Sequence, residues 1–430
     1  MNKNTLKATL LLVVFIIINA SGQKKEKKVG AFQDDVPTIY SAKPSGHIVG
    51  NELTVYDYKL LSQVKLAIRE KDDDFLPAYK ALIKAADKAL KEGSFSVVSK
   101  KQVAVSGDKH DYLSLAPYWW PDPTKDDGLP WIRKDGKINP LTRGQNVDEP
   151  IKDKMMGNVK VLSLAYFFSG DIKYAEKTKE LLKVWFVDAE TKMNPNLNYA
   201  QGVPGSSEGR CFGIIEFSGI TNIITAVEIL ELDNSFESSL GNKLKAWLNS
   251  YLNWLQTSEL GQLENSRKNN HATLYDVQVV ALLLFLDKTE EAKNVLTSVV
   301  EKRVETQIEA DGKQPHELQR TKSLTYSILN LTGLTKLAFF GRKDGIQIDI
   351  WNYRSNNGDI QKAYQYLLPF LNTQNQWSFE QLGSMDNAVK RLKQMFRNTG
   401  SMLSINEYCK LGFDIKEIDH LDLLLYPCNR

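Results

Sequence analysis

Three cysteines in 430 residues, Cys211, Cys409 and Cys428, are too few and too scattered for a disulfide framework or a zinc site. Two fates stay open for the last pair, a single bridge in an oxidising compartment or buried free thiols. Histidine is scarce as well. His47, His110, His271, His316 and His420 are all there are, and no His/Asp/Glu group has ligand-like spacing, so the residues require neither a metal nor another cofactor. Beyond the N-terminus no segment offers the ~18 uninterrupted apolar residues of a membrane span. Excess charge is missing too. The 55 basic and 52 acidic residues leave a formal +3, and Lys3 and Lys7 lie in a segment expected to be removed. A near-neutral chain does not advertise a nucleic-acid partner, and an acidic ligand would need a local cluster of basic residues.

What is present is the composition of a globular protein, 42% hydrophobic and 25% charged. The start, MNKNTLKATLLLVVFIIINASG, sets two lysines before an apolar run from Leu10 to Ile18 and ends in small residues. It reads as a secretory signal peptide cleaved after Gly22, with no nearby cysteine for a lipid anchor. The expected organisation is signal peptide 1–22, a mobile polar lead-in 23–37, and one domain over 38–430. The expected location is outside the cytoplasm, in the periplasm.

From Tyr56 onward apolar residues recur at three and four, as in YKLLSQVKLAIRE and PAYKALIKAADKALKEG. Similar patterns cover Val159–Phe168, Ile172–Phe186, Ile214–Leu232, Leu240–Leu255, Ala272–Leu286, Glu290–Ile308, Ser323–Phe340, Ile360–Leu371 and Met385–Phe396. Strand signals are confined to FSVVS and GIQIDIW. A dozen amphipathic helices in antiparallel succession, with long loops on one side, predict an all-α fold, an incomplete α/α toroid, with a helical solenoid as the alternative. Two loops are too long for connectors, Val103 to Pro150 and Asn194–Glu208. They are rich in Trp, Tyr, Gly, Pro and Asn, as the walls of a cleft would be.

The first loop contains HDYLSLAPYWWPDP. Pro117 and Pro121 exclude a regular helix around Tyr118, Trp119 and Trp120. The three rings either plug the core or offer a flat wall for a ligand. His271, in SRKNNHATLYDVQVV, stands at the start of an apolar helix, where Asn269 or Asn270 could serve simply as the N-cap. Arg267 and Lys268 beside that positive helix end are harder to explain as caps. In HELQRTKSLTYSILN, Arg320 precedes a helix that holds Tyr326. The two converge only if Arg320 belongs to the preceding loop or first turn, because six positions on one helix are about 120° apart. Asn330 shares the Tyr326 face.

Taken together, NNH before a helix, R-x5-Y some fifty residues later, the GRCFGIIE segment and the HDYLSLAPYWWPDP…GLPWIRKDGKINP block resemble the alginate lyase family. Its spacing is closer to the lyase family numbered 38 than to family 5. The resemblance runs from about Ser106 to Tyr326. It implies an α/α-toroid polysaccharide lyase that cleaves 4-linked polyuronates by β-elimination, with an acidic polysaccharide as its partner. It places Asn270, His271 and Arg320 near the substrate carboxylate. It makes Tyr326 base and acid on mannuronate-like residues, and allows His271 as base from the opposite face. Lowering a phenol from about 10 to ~7.5 needs roughly 3–4 kcal/mol. One cation ~4 Å away at an effective dielectric of ~20 supplies about 4 kcal/mol, so Arg320 is expected to lower Tyr326.

Sugar rings present apolar C–H faces, which gives Tyr118, Trp119 and Trp120 a use as a stacking surface. His110, Tyr112, Arg133, Tyr199, Gln201 and Arg210 are further cleft candidates, Arg210 as a carboxylate holder. Glu264 is expected to orient His271 or Arg267, or to stand as a solvated loop acid. Two other classes compete with a lyase. A glycosidase on uronic sugars needs two facing carboxyl groups, and Asp111, Asp148, Glu208 and Glu216 form no recognisable pair. A non-catalytic glycan-binding protein would use the aromatics alone. Epimer preference, endo or exo action and oligomeric state are not encoded legibly.

Overall fold

Helices begin where a short polar side chain can hold the free N–H groups of a first turn. Asp57 accepts from Leu60 N to open α1 (Tyr58–Arg69), and Pro77 sits in the first turn of α2 (Leu76–Ala89). α3 (Glu149–Ser169) ends at Gly170 in the left-handed conformation, and Asp171 caps α4 (Ile172–Phe186). Then come α5 (Ile220–Glu231), α6 (Ser238–Thr257), α7 (Glu259–Asn265), α8 (Asn270–Phe285) and α9 (Thr289–Val299). The remainder holds the short α10 (Glu305–Gln307) and α11 (Pro315–Leu318), then α12 (Ser323–Gly341) and α13 (Ile360–Leu367). α14 (Met385–Met402), α15 (Asn406–Cys409) and α16 (His420–Leu425) complete the order. This computed structural model describes residues 52–232, 236–372, 374–411 and 418–428. The expected signal peptide, the polar lead-in and His47 lie outside the described residues.

Two kinds of helix alternate along the chain. α8 has no polar face, and every residue in it but His271 and Leu284 is buried. α5 and α12 are likewise apolar nearly all round. α9 buries only Ala292, Leu296 and Val299, one stripe at spacings of four and three. The apolar set packs in sequence, α3 on α5, α5 on α8, α8 on α12, and α12 then meets α14. The striped helices cover them from outside: α4 on α3, α6 and α9 on α8, α13 on α12. An inner ring sheathed by an outer one is the α/α toroid. The all-round apolar helices are those that must be covered on every side.

Among the described residues, strand appears only inside the two long loops. β1 (Leu113–Leu115) pairs in parallel with β4 (Tyr199–Gly202), joining the loops to each other. β2 (Trp119–Trp120) pairs antiparallel with β3 (Ile132–Arg133), Trp119 opposite Arg133. The prolines that exclude a helix thus leave room for a two-residue strand. Neither expected strand forms. FSVVS ends in a 3₁₀ turn at Val97–Ser99, and GIQIDIW is turn and coil that buries Ile346, Ile350 and Trp351. Short apolar runs that plug a core from a loop carry the same pattern as a buried strand.

Several helical expectations change in extent: the Ile214–Leu232 pattern forms α5 only from Ile220, behind a 3₁₀ turn at Cys211–Phe217, and the Ile360–Leu371 pattern ends in a 3₁₀ turn. The Val159–Phe168 pattern belongs to a helix starting at Glu149, whose polar first turns bury Glu149 and Lys152. The Glu290–Ile308 pattern is interrupted by a wide π turn at Val300–Val304. Cys409 and Cys428 form a disulfide across 19 residues, while Cys211 is free and buried. Closing a loop of that length stabilises by about 3 kcal/mol in the chain-entropy picture. Reduction is therefore expected to lower the unfolding free energy by about that amount, measured by chemical denaturation with and without reductant. A cavity of about 620 Å³ beside this disulfide, between α1 and the C-terminal segment, is lined by none of the candidate site residues.

Candidate active site

The apolar helix α8 delivers Asn270 and His271 at its N-terminus, but Asn269 makes no side-chain cap bond there. Instead the Asn270 main-chain N–H and side-chain amide donate to the two oxygens of buried Glu317, at 2.6 and 2.7 Å. Asn270 is therefore held by an acid from α11. Its Oδ1 is buried without a partner. His271 Nδ1 lies 2.6 Å from Oε1 of Glu264 on α7, which is fully buried. A carboxylate accepts, so Nδ1 carries the proton and Nε2 is the nitrogen left for chemistry. The solvated-loop reading of Glu264 is excluded by its burial.

A turn after α11 places Arg320 outside α12, which lets it reach a residue six positions on. Its Nη2 donates to the Tyr326 hydroxyl at 3.2 Å, and its guanidinium carbon lies 4.2 Å from the centre of the Tyr326 ring. The same hydroxyl shares a 2.8 Å hydrogen bond with that of Tyr118. Asp135 takes Arg320 Nη2 at 2.9 Å and Nε at 3.2 Å, and also accepts from Arg133 at 2.7 Å and Thr321 Oγ1 at 3.0 Å. These donors hold the Asp135 carboxyl well below the usual carboxylate range, against its partial burial.

Tyr326 corrects an expectation. Burial, and then the bond with Tyr118, push its phenol well above the ordinary value, and the pull of Arg320 is too weak to reverse this. Arg320 does not act on it as a lone cation, because Asp135 is paired with the guanidinium. The resting hydroxyl is a proton donor.

Arg210 gives Nε to the Gln201 carbonyl at 2.9 Å and Nη2 to the Gln201 side chain at 3.3 Å. Gln201 is buried in a left-handed conformation (φ 51°), so it serves Arg210 and does not face the cleft itself. Arg210 and Arg267 cover the Phe212 ring, at 4.9 and 4.2 Å from its centre, and Arg210 also lies 5.5 Å from that of Trp119. Burial, then the nearby Arg133 and Arg267, bring Arg210 down to about 10, still cationic at neutral pH. Phe212 meets His271 edge-on with centres 5.0 Å apart.

These contacts close a circuit. Tyr118 touches Tyr326, Tyr326 touches Arg320, and the Arg320 N–H donates to the Glu317 carbonyl at 3.1 Å. Glu317 holds Asn270, His271 meets Phe212, Phe212 meets Arg210, and Arg210 meets Trp119 beside Tyr118. Phenol, imidazole and guanidinium, remote in the chain, are joined by one continuous set of contacts. Trp120 is half-buried beside Trp119, with Nε1 on the Lys137 carbonyl at 3.0 Å.

Other candidates fall outside the circuit. Tyr112 is fully buried and donates to Glu216 at 2.8 Å, so its ring is core and cannot meet a sugar. His110 is tied through Nδ1 to the Lys192 carbonyl at 2.6 Å, pinning the first long loop to the end of α4. Tyr199 is half-buried on β4 opposite Leu113. Asn330, on the Tyr326 helix, is buried against Gln314 at 2.9 Å. Among the acids a glycosidase would need, Glu216 is held by Tyr112 and Ser114, Asp111 by Ser106 and Asn194, and Asp148 by Lys100. Glu208 is exposed. No facing pair results among these four.

With this geometry in place, the sequence model of the family described as alginate lyase matches residues 96–377. The chain belongs to the alginate lyase family. It is a polysaccharide lyase. Among solved structures it is similar to an alginate lyase from Bacteroides ovatus, 36% identical with a TM-score of 0.83, over 88% of this chain and all of that one. Alginate lyase A1-III from Sphingomonas species A1 is 17% identical with a TM-score of 0.45, covering 80% of this chain and 94% of that one. A variant of A1-III complexed with a tetrasaccharide is 15% identical with a TM-score of 0.47, covering 85% and 93%. No curated protein matches the chain.

Asp135, Glu317 and Phe212 belong to this contact circuit, and the sequence did not single them out. Asp135 reads as a turn acid before Gly136, Glu317 as a helix acid, and Phe212 as core. Only their partners reveal them. One consequence is measurable. Glu264→Gln replaces the acceptor behind His271 with an amide, and a hydrogen bond to a charged group is worth about 1.5–3 kcal/mol. We expect kcat to fall about 10- to 100-fold by the same arithmetic, checked by steady-state kinetics alongside circular dichroism.

Proposed function

We propose that this lyase cleaves alginate, a 4-linked polyuronate, by β-elimination, and prefers mannuronate-rich chains. The observation that supports the reading is the closed circuit of contacts, which links Asn270, His271, Arg320 and Tyr326, remote in the chain, to one another. The C5 proton of a uronate is barely acidic while its carboxylate is fully charged. Asn270, His271 and the free edge of Arg320 offset that charge. A base takes the C5 proton, the electron pair forms the C4–C5 double bond, and the C4–O4 bond breaks as O4 is protonated.

Tyr326 is the acid toward O4. In mannuronate the C5 proton and O4 leave from one face, so Tyr326 serves both: its hydroxyl proton goes to the departing O4 and its oxygen takes the C5 proton, which restores the phenol. In guluronate they leave from opposite faces, and His271 Nε2 is the base. Arg210 and Arg267 would hold the carboxylate of a neighbouring sugar, and Trp119 and Trp120 its apolar face. We also propose that the protein is exported to the periplasm. The N-terminal pattern supports this, as does the Cys409–Cys428 bridge, a bond that persists in oxidising compartments.

The test is to mix the purified protein with polymannuronate, polyguluronate, mixed alginate and polyglucuronate. Absorbance of the unsaturated uronate and the sizes of the products are followed together. The expected result is fastest release from polymannuronate. Silence on every polyuronate, or products without the double bond, would overturn the reading.

A further inference from the structure

We propose that Asp135 is a positioning residue of the elimination site, fixing Arg320 against Tyr326 and setting the charge that Tyr326 experiences. The proposal rests on the lyase reading above and adds a residue that the reading does not need. Its grounds are geometric. Asp135 is 22% exposed and sits in the loop after β3, far in sequence from α12, yet takes four side-chain donors. Two of them are Nε and Nη2 of Arg320, the side edge of the guanidinium. That pairing leaves the Nη1 edge for a substrate carboxylate and lays the guanidinium against the Tyr326 ring.

The loop is seated for this contact. Gly136, at φ 71°, lies where an added Cβ would come within 2.5 Å of Thr321 Oγ1 and 3.1 Å of Leu382. No side chain fits between the loop and the start of α12. The Lys134 N–H donates to the Tyr118 carbonyl at 2.7 Å, so the segment carrying Asp135 also carries the tyrosine that bonds Tyr326. One carboxylate thus ties the β2–β3 hairpin to Arg320.

The charged and titratable groups around Tyr326 are few. Tyr118 comes from the hairpin, Arg320 from the turn before α12, and Asp135 from the loop after β3. Arg133 and Glu317 act at one remove, on Asp135 and Arg320, and Lys322 lies 5.9 Å from the Tyr118 ring. Of these, Asp135 is the anion closest coupled to the Arg320–Tyr326 pair. Its negative charge opposes ionisation of Tyr326 and offsets the help of Arg320.

The experiment uses the mature protein with Asp135→Asn, and Asp135→Ser should the first variant not fold. Tyr326 is titrated by ultraviolet difference absorbance against the matching Tyr326→Phe protein, and kcat and KM are measured on polymannuronate across pH. The expected result is that Tyr326 ionises at least about one pH unit lower. The limb of the rate profile that it governs should move in the same direction, kcat on the plateau should fall about tenfold, and KM should change less than threefold. Thr321→Val, which removes a second tie to the loop but leaves the Arg320 pair, should keep the wild-type titration. A rise in KM with an unmoved titration, or the same shift in Thr321→Val, would overturn the proposal, since Asp135 would then be only a strap for the hairpin. Should the wild type release no unsaturated product, the lyase reading fails, while the Tyr326 titration still decides the role of Asp135.

Discussion

Tyr326→Phe is expected to leave a folded protein whose kcat on polyuronate is lower by about 10²–10⁴, the range of a positioned acid or base, with KM nearly unchanged. The ring stays, so its packing in α12 and its contact with the Arg320 guanidinium remain. What goes is one oxygen, 2.8 Å from Tyr118 and 3.2 Å from Arg320. Arg320 keeps its proton and the Asp135 carboxyl holds none at neutral pH, so the neighbouring Tyr118 hydroxyl is the one nearby group left to donate toward O4, from a different position. Single-turnover release of unsaturated product, beside substrate binding to the same variant, separates the two effects. A variant that retains more than a tenth of wild-type kcat would show that the proton reaches O4 by another route.

Arg320→Lys is expected to cost about 10²–10³ in kcat/KM, the scale of losing an oriented donor at a developing charge. The guanidinium does three things at once here. Its side edge grips Asp135, its Nη2 reaches the Tyr326 oxygen, and its flat face covers the Tyr326 ring. An ammonium is a point charge on a flexible stem and can satisfy one of these. Unlike Tyr326→Phe, this change should raise KM as well, because in the proposed mechanism the substrate carboxylate meets Arg320 before and during reaction. Steady-state kinetics on polymannuronate tests it. A lysine variant within tenfold of wild type would mean that charge alone suffices.

The helical architecture was legible because inner and outer helices write their burial into spacing. Apolar residues spaced three and four apart in α9 and the apolar run from 279 to 285 in α8 mark both as helices, while their layers became visible only in the packing. The four side chains proposed to react were readable as a set through NNH and R-x5-Y, although each alone had an ordinary explanation. What stayed hidden was pairing. Asp135 and Glu317 are common acids whose meaning lies in reaching Arg320 and Asn270, at separations of 185 and 47 residues. The aromatic and histidine candidates in the first loop divide for a similar reason. Composition does not reveal which side of a strand faces the core, so Tyr112 went inward to Glu216 while Tyr118 turned to Tyr326. The charge state of Tyr326 was misjudged because burial and the bond with Tyr118 outweigh the pull of its cation, with a carboxylate far away in sequence adding a little to them.

The wide turn at Val300–Val304 acts as a phase adjustment for everything after it. A π turn holds more residues than an α turn, so the surface beyond it is rotated relative to an unbroken helix. That rotation aims Arg303 at Asp276, 2.7 Å away, and at Asn265, while Gln307 meets Thr273 at 3.0 Å and the Asn269 carbonyl at 3.5 Å. Those four partners flank the Asn270–His271 step on both sides. Deleting one residue from the bulge would swing Arg303 round by about 100° and leave Asp276 buried without its cation. The imidazole would then lose its footing although no atom near the cleft had been altered.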